Sequence, residues 1–204
     1  MGQHYTALAI DKDNTIKKLK PHAFANGAKL MEHSWIGNMF VDAVYSLIYH
    51  NPCKVAWIGD YSDTPYDPAT DAYAKTLSHE EFMRMYDIAY DENVPSLDEE
   101  NLELEQLKLV GYETKGTYLV NHDLKCYIDM EAYIKRFTAR KGYVKEYCIN
   151  PLPLLTACGN GRGGGDFRSG QGFEDIGAWA FHRLEYTDQI PEGYSEKKYC
   201  FIEA

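Results

Sequence analysis

Apolar residues fill nearly the whole stretch from Tyr5 to Ile10 before the polar run Asp11-Lys12-Asp13-Asn14, which predicts a strand over 4–10. A helical pattern follows Pro21 and weakens at Asn26-Gly27. From Ser34, an N-cap residue type, the apolar positions Ile36, Phe40, Val44, Leu47 and Ile48 recur at helical spacing, and Asn51-Pro52 ends that helix. The segment 53–58 is short, apolar and rich in Val, Trp and Ile, the pattern of a buried strand. The segment 59–71, with Pro65 and Pro68, reads as a surface loop.

Ser78-His79-Glu80-Glu81 is a capping box opening a helix that carries Phe82, Tyr86 and Ala89 on one face. Between 91 and 105 stand Asp91, Glu92, Asp98, Glu99, Glu100, Glu103 and Glu105 with no basic residue among them, the pattern of a solvated connection between two halves. Beyond it, 117–120 and 126–128 flank the polar Asn121-His122-Asp123-Leu124-Lys125, a hairpin. Asp129 caps a short helix in which Met130, Tyr133, Ile134 and Phe137 share a face. Strands are expected at 143–149 and 198–202, and 150–158, with its two prolines, as an extended segment outside any central strand. The alternation of Trp179 and Phe181 favours strand over helix for 176–186. The sum is an α+β fold, a mostly antiparallel sheet of roughly six strands with three or four helices and no regular βα alternation.

The length of 204 residues suits a single domain, 1–204, with an acidic connecting segment near 91–105. An apolar fraction of 45% and an aromatic fraction of 14% exclude intrinsic disorder. Lys and Arg number 21 against 31 Asp and Glu, a net charge of −10, which disfavours direct nucleic-acid binding because phosphates need neutralising. No apolar run approaches the roughly 20 residues of a membrane span, and the start lacks a basic-then-apolar signal pattern. The five cysteines at 53, 126, 148, 158 and 200 are odd in number and show no C-x-x-C. Reduced thiols in a cytoplasmic protein are therefore expected.

The most conspicuous local feature is Gly159-Asn160-Gly161-Arg162-Gly163-Gly164-Gly165-Asp166, which contains G-x-G-x-x-G through Gly159, Gly161 and Gly164. A dinucleotide fingerprint needs a helix opening at its end, and the following Asp166-Phe167-Arg168-Ser169-Gly170 is poor helix material. Two readings stay open. In one, the backbone amides of the loop form an anion-holding nest, with Gly159, Gly161, Arg162, Gly163, Gly164 and Asp166 as ligand-binding residues. In the other, the glycines permit left-handed turns and close backbone packing without a ligand. No nucleophile elbow is present and the carboxylates are too numerous to nominate an acid–base pair, so no catalytic residue is assigned and no cofactor is expected.

Gly59-Asp60-Tyr61-Ser62-Asp63 and Asn121-His122-Asp123 resemble pieces of the calcineurin-like metallophosphoesterase pattern. That resemblance implies an alternative metal set of Asp60, Asp63, His122 and Asp123, activating water against a phosphoester. The sequence departs from the pattern at Ile10-Asp11-Lys12-Asp13, which lacks Asp-x-His, and in having no Gly-His-x-His. The run Asn150-Pro151-Leu152-Pro153-Leu154-Leu155-Thr156, the 159–166 loop, the strand ending Trp57-Ile58-Gly59-Asp60-Tyr61 and the 118–128 hairpin are similar to features of bacterial and phage-borne proteins without an assigned activity. That likeness implies a bacterial or phage cytosolic setting.

Two functional expectations follow. The favoured one is a non-enzymatic binding or regulatory protein acting on another macromolecule, with a basic protein as partner and neither nucleic acid nor membrane. The alternative is a small-molecule or phosphoester-acting enzyme using the glycine loop. Convergence of that loop with Asp60 and His122 in one cleft favours the enzyme, and dispersal favours binding.

Overall fold

The computed structural model describes residues 2–63, 75–98, 102, 116–140 and 147–203. Its centre is a pair of antiparallel strands, β1 (Tyr5–Ile10) and β3 (Cys53–Gly59), joined over six cross-strand pairs from Tyr5↔Gly59 to Ile10↔Lys54. Beside β1 lies β2 (Ile16–Leu19), and β2 carries the two-residue β4 (Ser96–Leu97) at the edge. The other flank of β3 is shared. Its first residues pair with β9 (Arg183–Thr187), and its last with β7 (Ala157–Cys158). From β9 the sheet continues through β5 (Tyr118–Asn121) and β6 (Cys126–Asp129) to β10 (Ser195–Glu196). A separate two-stranded sheet pairs β8 (Gly170–Gln171) with β11 (Ile202–Glu203).

Every residue of β1 is buried because both faces of the sheet are covered. Tyr5, Ala7 and Ala9 join Val55 and Trp57 of β3 in one apolar cluster, against Phe40, Val44 and Ile48 of α2 (Met39–Ile48), which follows the short α1 (Leu30–His33). Leu8 and Ile10 join Ala56 and Ile58 in a second, against Phe82, Met85 and Ala89 of α3 (His79–Tyr90). The period-2 alternation of a strand thus feeds two cores from one segment, which is why its sequence reads as continuously apolar. The capping box at α3 forms as expected, with Glu81 N–H donating to Ser78 Oγ at 3.2 Å and Ser78 N–H to Glu81 Oε2 at 2.9 Å. The Asp129 cap forms too, accepting from Ala132 N–H at 2.8 Å ahead of the helix Met130–Thr138.

Lys18 of β2 stands opposite Leu8 and is buried at 1% exposure. Its ammonium donates to the carbonyl of Asp91 at 2.7 Å, where α3 ends and its carbonyls lack intrahelical partners. Burial is the main cause of the lowered Lys18 pKa, with Lys20 next.

Among the described residues the sheet is mixed and has nine strands, rather than six in a mostly antiparallel arrangement, and there are five α-helices. The parallel pairs, β2–β4, β3–β7 and β6–β10, all involve two-residue strands too short to show alternation. Their pairing is decided by where the fold lays the chain. Three further expectations are corrected. The helix expected to start at Ser34 begins after Asn38, whose side chain accepts from Phe40 N–H at 3.0 Å; Gly37, at φ 78°, interrupts any earlier start. Residues Pro151–Leu155, expected to be extended, form a short helix capped by Asn150, with Pro151 in the first turn where its missing N–H is harmless. Residues 176–181 are turns, and the strand begins only at Arg183. Prolines Pro65 and Pro68, residues 143–146 of an expected strand, and Glu99, Glu100, Glu103 and Glu105 lie outside the described residues.

Candidate functional site

β3 ends at Gly59, and there the leading segment of β1, the turn after β3 and the glycine loop meet. Asp60 holds this junction with its backbone and side chain: its N–H donates to His4 O and its Oδ1 accepts from His4 N–H, both at 2.9 Å. Tyr90, from the end of α3, places its hydroxyl 2.6 Å from Ile58 O and 2.9 Å from His4 O. Burial, then the charge of Asp60, raises the Tyr90 pKa, so the phenol stays a donor.

The glycine loop closes through Asn160, whose side chain accepts from Phe167 N–H at 3.0 Å and donates to Phe167 O at 2.9 Å. Within this closure the amides of Gly161 and Gly163 point inward, as a nest requires. Their target is the protein's own carboxylate: both donate to Asp166 Oδ2, at 2.8 and 2.9 Å. Tyr5 Oη donates to Asp166 Oδ1 at 2.9 Å. With its nitrogen turned to these acceptors, the Gln3 amide donates to Asp166 Oδ2 at 3.1 Å and to Gly159 O at 2.7 Å. Asp166 is 2% exposed, and burial raises its pKa against the opposing pull of the Gly163 amide and the Tyr5 hydroxyl.

The loop packs on β1 without space for a side chain at Gly163, where an added Cβ would lie 2.5 Å from the backbone nitrogen of Gln3. Gly164 O accepts from Gln3 N–H at 3.2 Å, and Arg162 reaches back to donate to Tyr61 O at 3.0 Å. The arrangement is a clasp: an internal anion replaces an external one, and loop, β1 and the 59–63 turn are tied together.

The alternative metal residues divide between distant places. His122 N–H donates to Arg183 O, and Arg183 pairs with Lys54, so His122 is level with the start of β3. Asp60 follows the far end of that strand, about 20 Å away at ~3.3 Å per residue. Asp63 is exposed in the turn beyond Asp60. Asp123 Oδ2 accepts from Arg183 N–H at 2.8 Å. Among the described residues no group of three or more His, Cys, Asp and Glu side chains is placed to hold a metal. The glycine loop therefore adjoins Asp60 but not His122.

A constellation the sequence did not nominate surrounds His122. Its Nε2 lies 2.8 Å from Glu185 Oε2 of β9, and its Nδ1 lies 3.1 Å from Tyr194 Oη. An ionised carboxylate only accepts, so in the neutral imidazole Nε2 carries the proton and Nδ1 accepts from Tyr194. Beside it, Asn121 Oδ1 accepts from the amides of Asp123 and Leu124, which leaves Asn121 Nδ2 to donate to His182 Nδ1 at 2.9 Å. Burial lowers the His182 pKa. Glu185 and Tyr194 are far from His122 in sequence, and no spacing marks them.

The chain matches no protein-family model, no curated protein and no solved structure.

Proposed function

We propose that this protein is a non-enzymatic binding or regulatory protein that acts on another macromolecule, with a basic protein as its partner. One observation carries the reading: the inward amides of the glycine loop are already satisfied by Asp166, which gives the loop a structural task instead of a ligand's place. The net charge of −10 supports a basic partner, since complementary charge speeds encounter. The test pairs two measurements on the full chain. Thermal unfolding with inorganic phosphate and nucleotides should show no stabilisation that Arg162→Ala removes. Association with a partner captured at low salt should slow in a variant with Asp98, Glu99 and Glu100 changed to Asn and Gln, and weaken as salt rises. A saturable phosphate effect lost in Arg162→Ala would overturn the reading in favour of the loop as an anion site.

The second reading, a small-molecule or phosphoester-acting enzyme, draws support from Glu185, His122 and Tyr194. A hydroxyl hydrogen-bonded to an imidazole that a carboxylate orients is the general pattern of an activated nucleophile. Turnover of an activated ester or phosphoester that falls with both His122→Gln and Tyr194→Phe would favour it.

A further inference from the structure

Lys54 of β3 and Arg183 of β9 stand directly opposite each other, so both side chains leave the sheet on the same face. Both are exposed, and like charges in directly opposed positions destabilise a strand pair. On its other side Lys54 faces Ile10 of β1, which lies at the wall of a cavity of about 380 Å³. Ile10, Ile16, Leu77, Met85 and Phe181 form the apolar part of that wall. Arg84, from α3, reaches the same rim as Lys54, together with Glu81. Glu81 is the rim's carboxylate, and it is engaged by the Ser78 amide and hydroxyl at 2.9 and 2.8 Å. Those bonds, and then the charges of Lys54 and Arg84, hold its carboxyl below the ordinary range.

Two cations, Lys54 and Arg84, therefore line the cavity beside the Glu81 carboxylate in a protein whose net charge is −10, and Arg183 stands opposite Lys54 with the Asp123 carboxylate at its own N–H. Among the described residues, none of Lys54, Arg84 and Arg183 takes part in a salt bridge. Phe181 adds a second irregularity. It is buried at 3% exposure with φ 60°, a backbone region that bulky side chains rarely adopt, and its N–H is held by Val55 O at 2.8 Å. Its ring meets Phe82 edge-on at 6.3 Å, between the cavity and the core under α3.

We propose that this cavity binds a small amphipathic anion, a carboxylate or phosphate monoester with a short apolar tail. The head lies among Lys54, Arg84 and Arg183, where it relieves their mutual repulsion, and the tail covers the surface of Ile10, Met85 and Phe181. The volume stands near the lower end of the ~300–1,000 Å³ span of small-molecule sites, which limits the tail to a short one. This site is separate from the glycine loop, and the proposal stands independently of the macromolecular partner.

The experiment is methyl NMR of the full chain titrated with octanoate, octyl phosphate, octylammonium and inorganic phosphate. Octanoate, octyl phosphate or both should shift the Met85, Ile10 and Ile16 methyl signals saturably, and which of them does so identifies the head. Octylammonium and inorganic phosphate at equal concentration should leave those signals in place. The double variant Lys54→Gln/Arg84→Gln, altered only at exposed positions, should weaken binding by about tenfold or more, and Arg183→Gln should weaken it less. The proposal is overturned if neither amphiphilic anion gives a saturable shift, if octylammonium binds as tightly, if inorganic phosphate alone reproduces the shifts, or if the double variant binds unchanged.

Discussion

Tyr5 and Asp166 are 161 positions apart in sequence, and the phenol of one donates to the carboxylate of the other at 2.9 Å inside the fold. The first strand and the glycine loop are thereby joined through a single buried charge. That charge is itself surrounded by the amides of Gly161 and Gly163.

Removing Asp166 should be a stability defect. Asp166→Ala leaves inward amides without an acceptor, and each unsatisfied buried group costs about 1–3 kcal/mol. Tyr5→Phe removes one donor and should cost about 1 kcal/mol. Urea unfolding followed by tryptophan fluorescence measures both. An Asp166→Ala protein as stable as the parent would contradict the clasp. Because burial raises the Asp166 pKa, its contribution favours the folded state at low pH and falls as pH rises through the folded value. Asp166→Asn should abolish that component.

His33 gives a pH dependence of opposite sense. It is fully buried, accepts from Trp57 Nε1–H at Nε2 (3.1 Å), and must then donate from Nδ1 to Gly27 O at 3.0 Å. Burial lowers its pKa to about 4 from the ordinary 6.5, which keeps the ring neutral. The unfolded chain takes up the proton first, so this stabilisation is complete above about pH 6.5 and is lost as pH falls toward 4. The loss is of order 3 kcal/mol. His33→Gln should flatten stability across that window, as read from unfolding midpoints at a series of pH values.

Lys18 should matter through the end of α3. Lys18→Ala removes the ammonium that meets Asp91 O and leaves a gap under the helix, at a cost of about 1–3 kcal/mol. Lys18→Met fills the same space without a charge to desolvate and should cost less. Hydrogen exchange at the amide of Asp91, which donates to Asp87 O at 2.7 Å, reports fraying of the last turn.

The thiols should separate by burial. Cys53, Cys126, Cys148 and Cys158 are buried and Cys200 is half-buried, and none of them is in a disulfide. Burial raises the Cys53 pKa to about 11 and pushes that of Cys126 up as well, so neither is a ready thiolate. Native alkylation followed by intact mass should modify Cys200 first. Five additions should follow denaturation without reductant. Labelling of Cys53 before Cys200 would contradict the packing.

Elements whose signal is local were legible in the chain. The Ser78–Glu81 capping box, the Asp129 cap and the apolar run of β1 each consist of neighbours that interact with one another or share one environment. The hairpin of β5 and β6 was legible for the same reason, its Asn121 side chain closing the turn on the Asp123 and Leu124 amides. The glycine loop was visible, and an inward-turning backbone was one of the two readings it left open, but the identity of the anion was not. That depended on Asp166 folding back on the amides and on Gln3 and Tyr5 arriving from the first strand. Glu185 and Tyr194 meet His122 only because β9 and the segment before β10 flank the hairpin. Lys54 and Arg183 face each other only through sheet register. Sequence alone determined the pieces in which a residue's partner lies within a few positions, where propensity and spacing decide the free energy. Tertiary structure decided the mixed sheet, the filling of the nest and the cation cluster, because those contacts join distant segments whose register is set by the burial of both sheet faces.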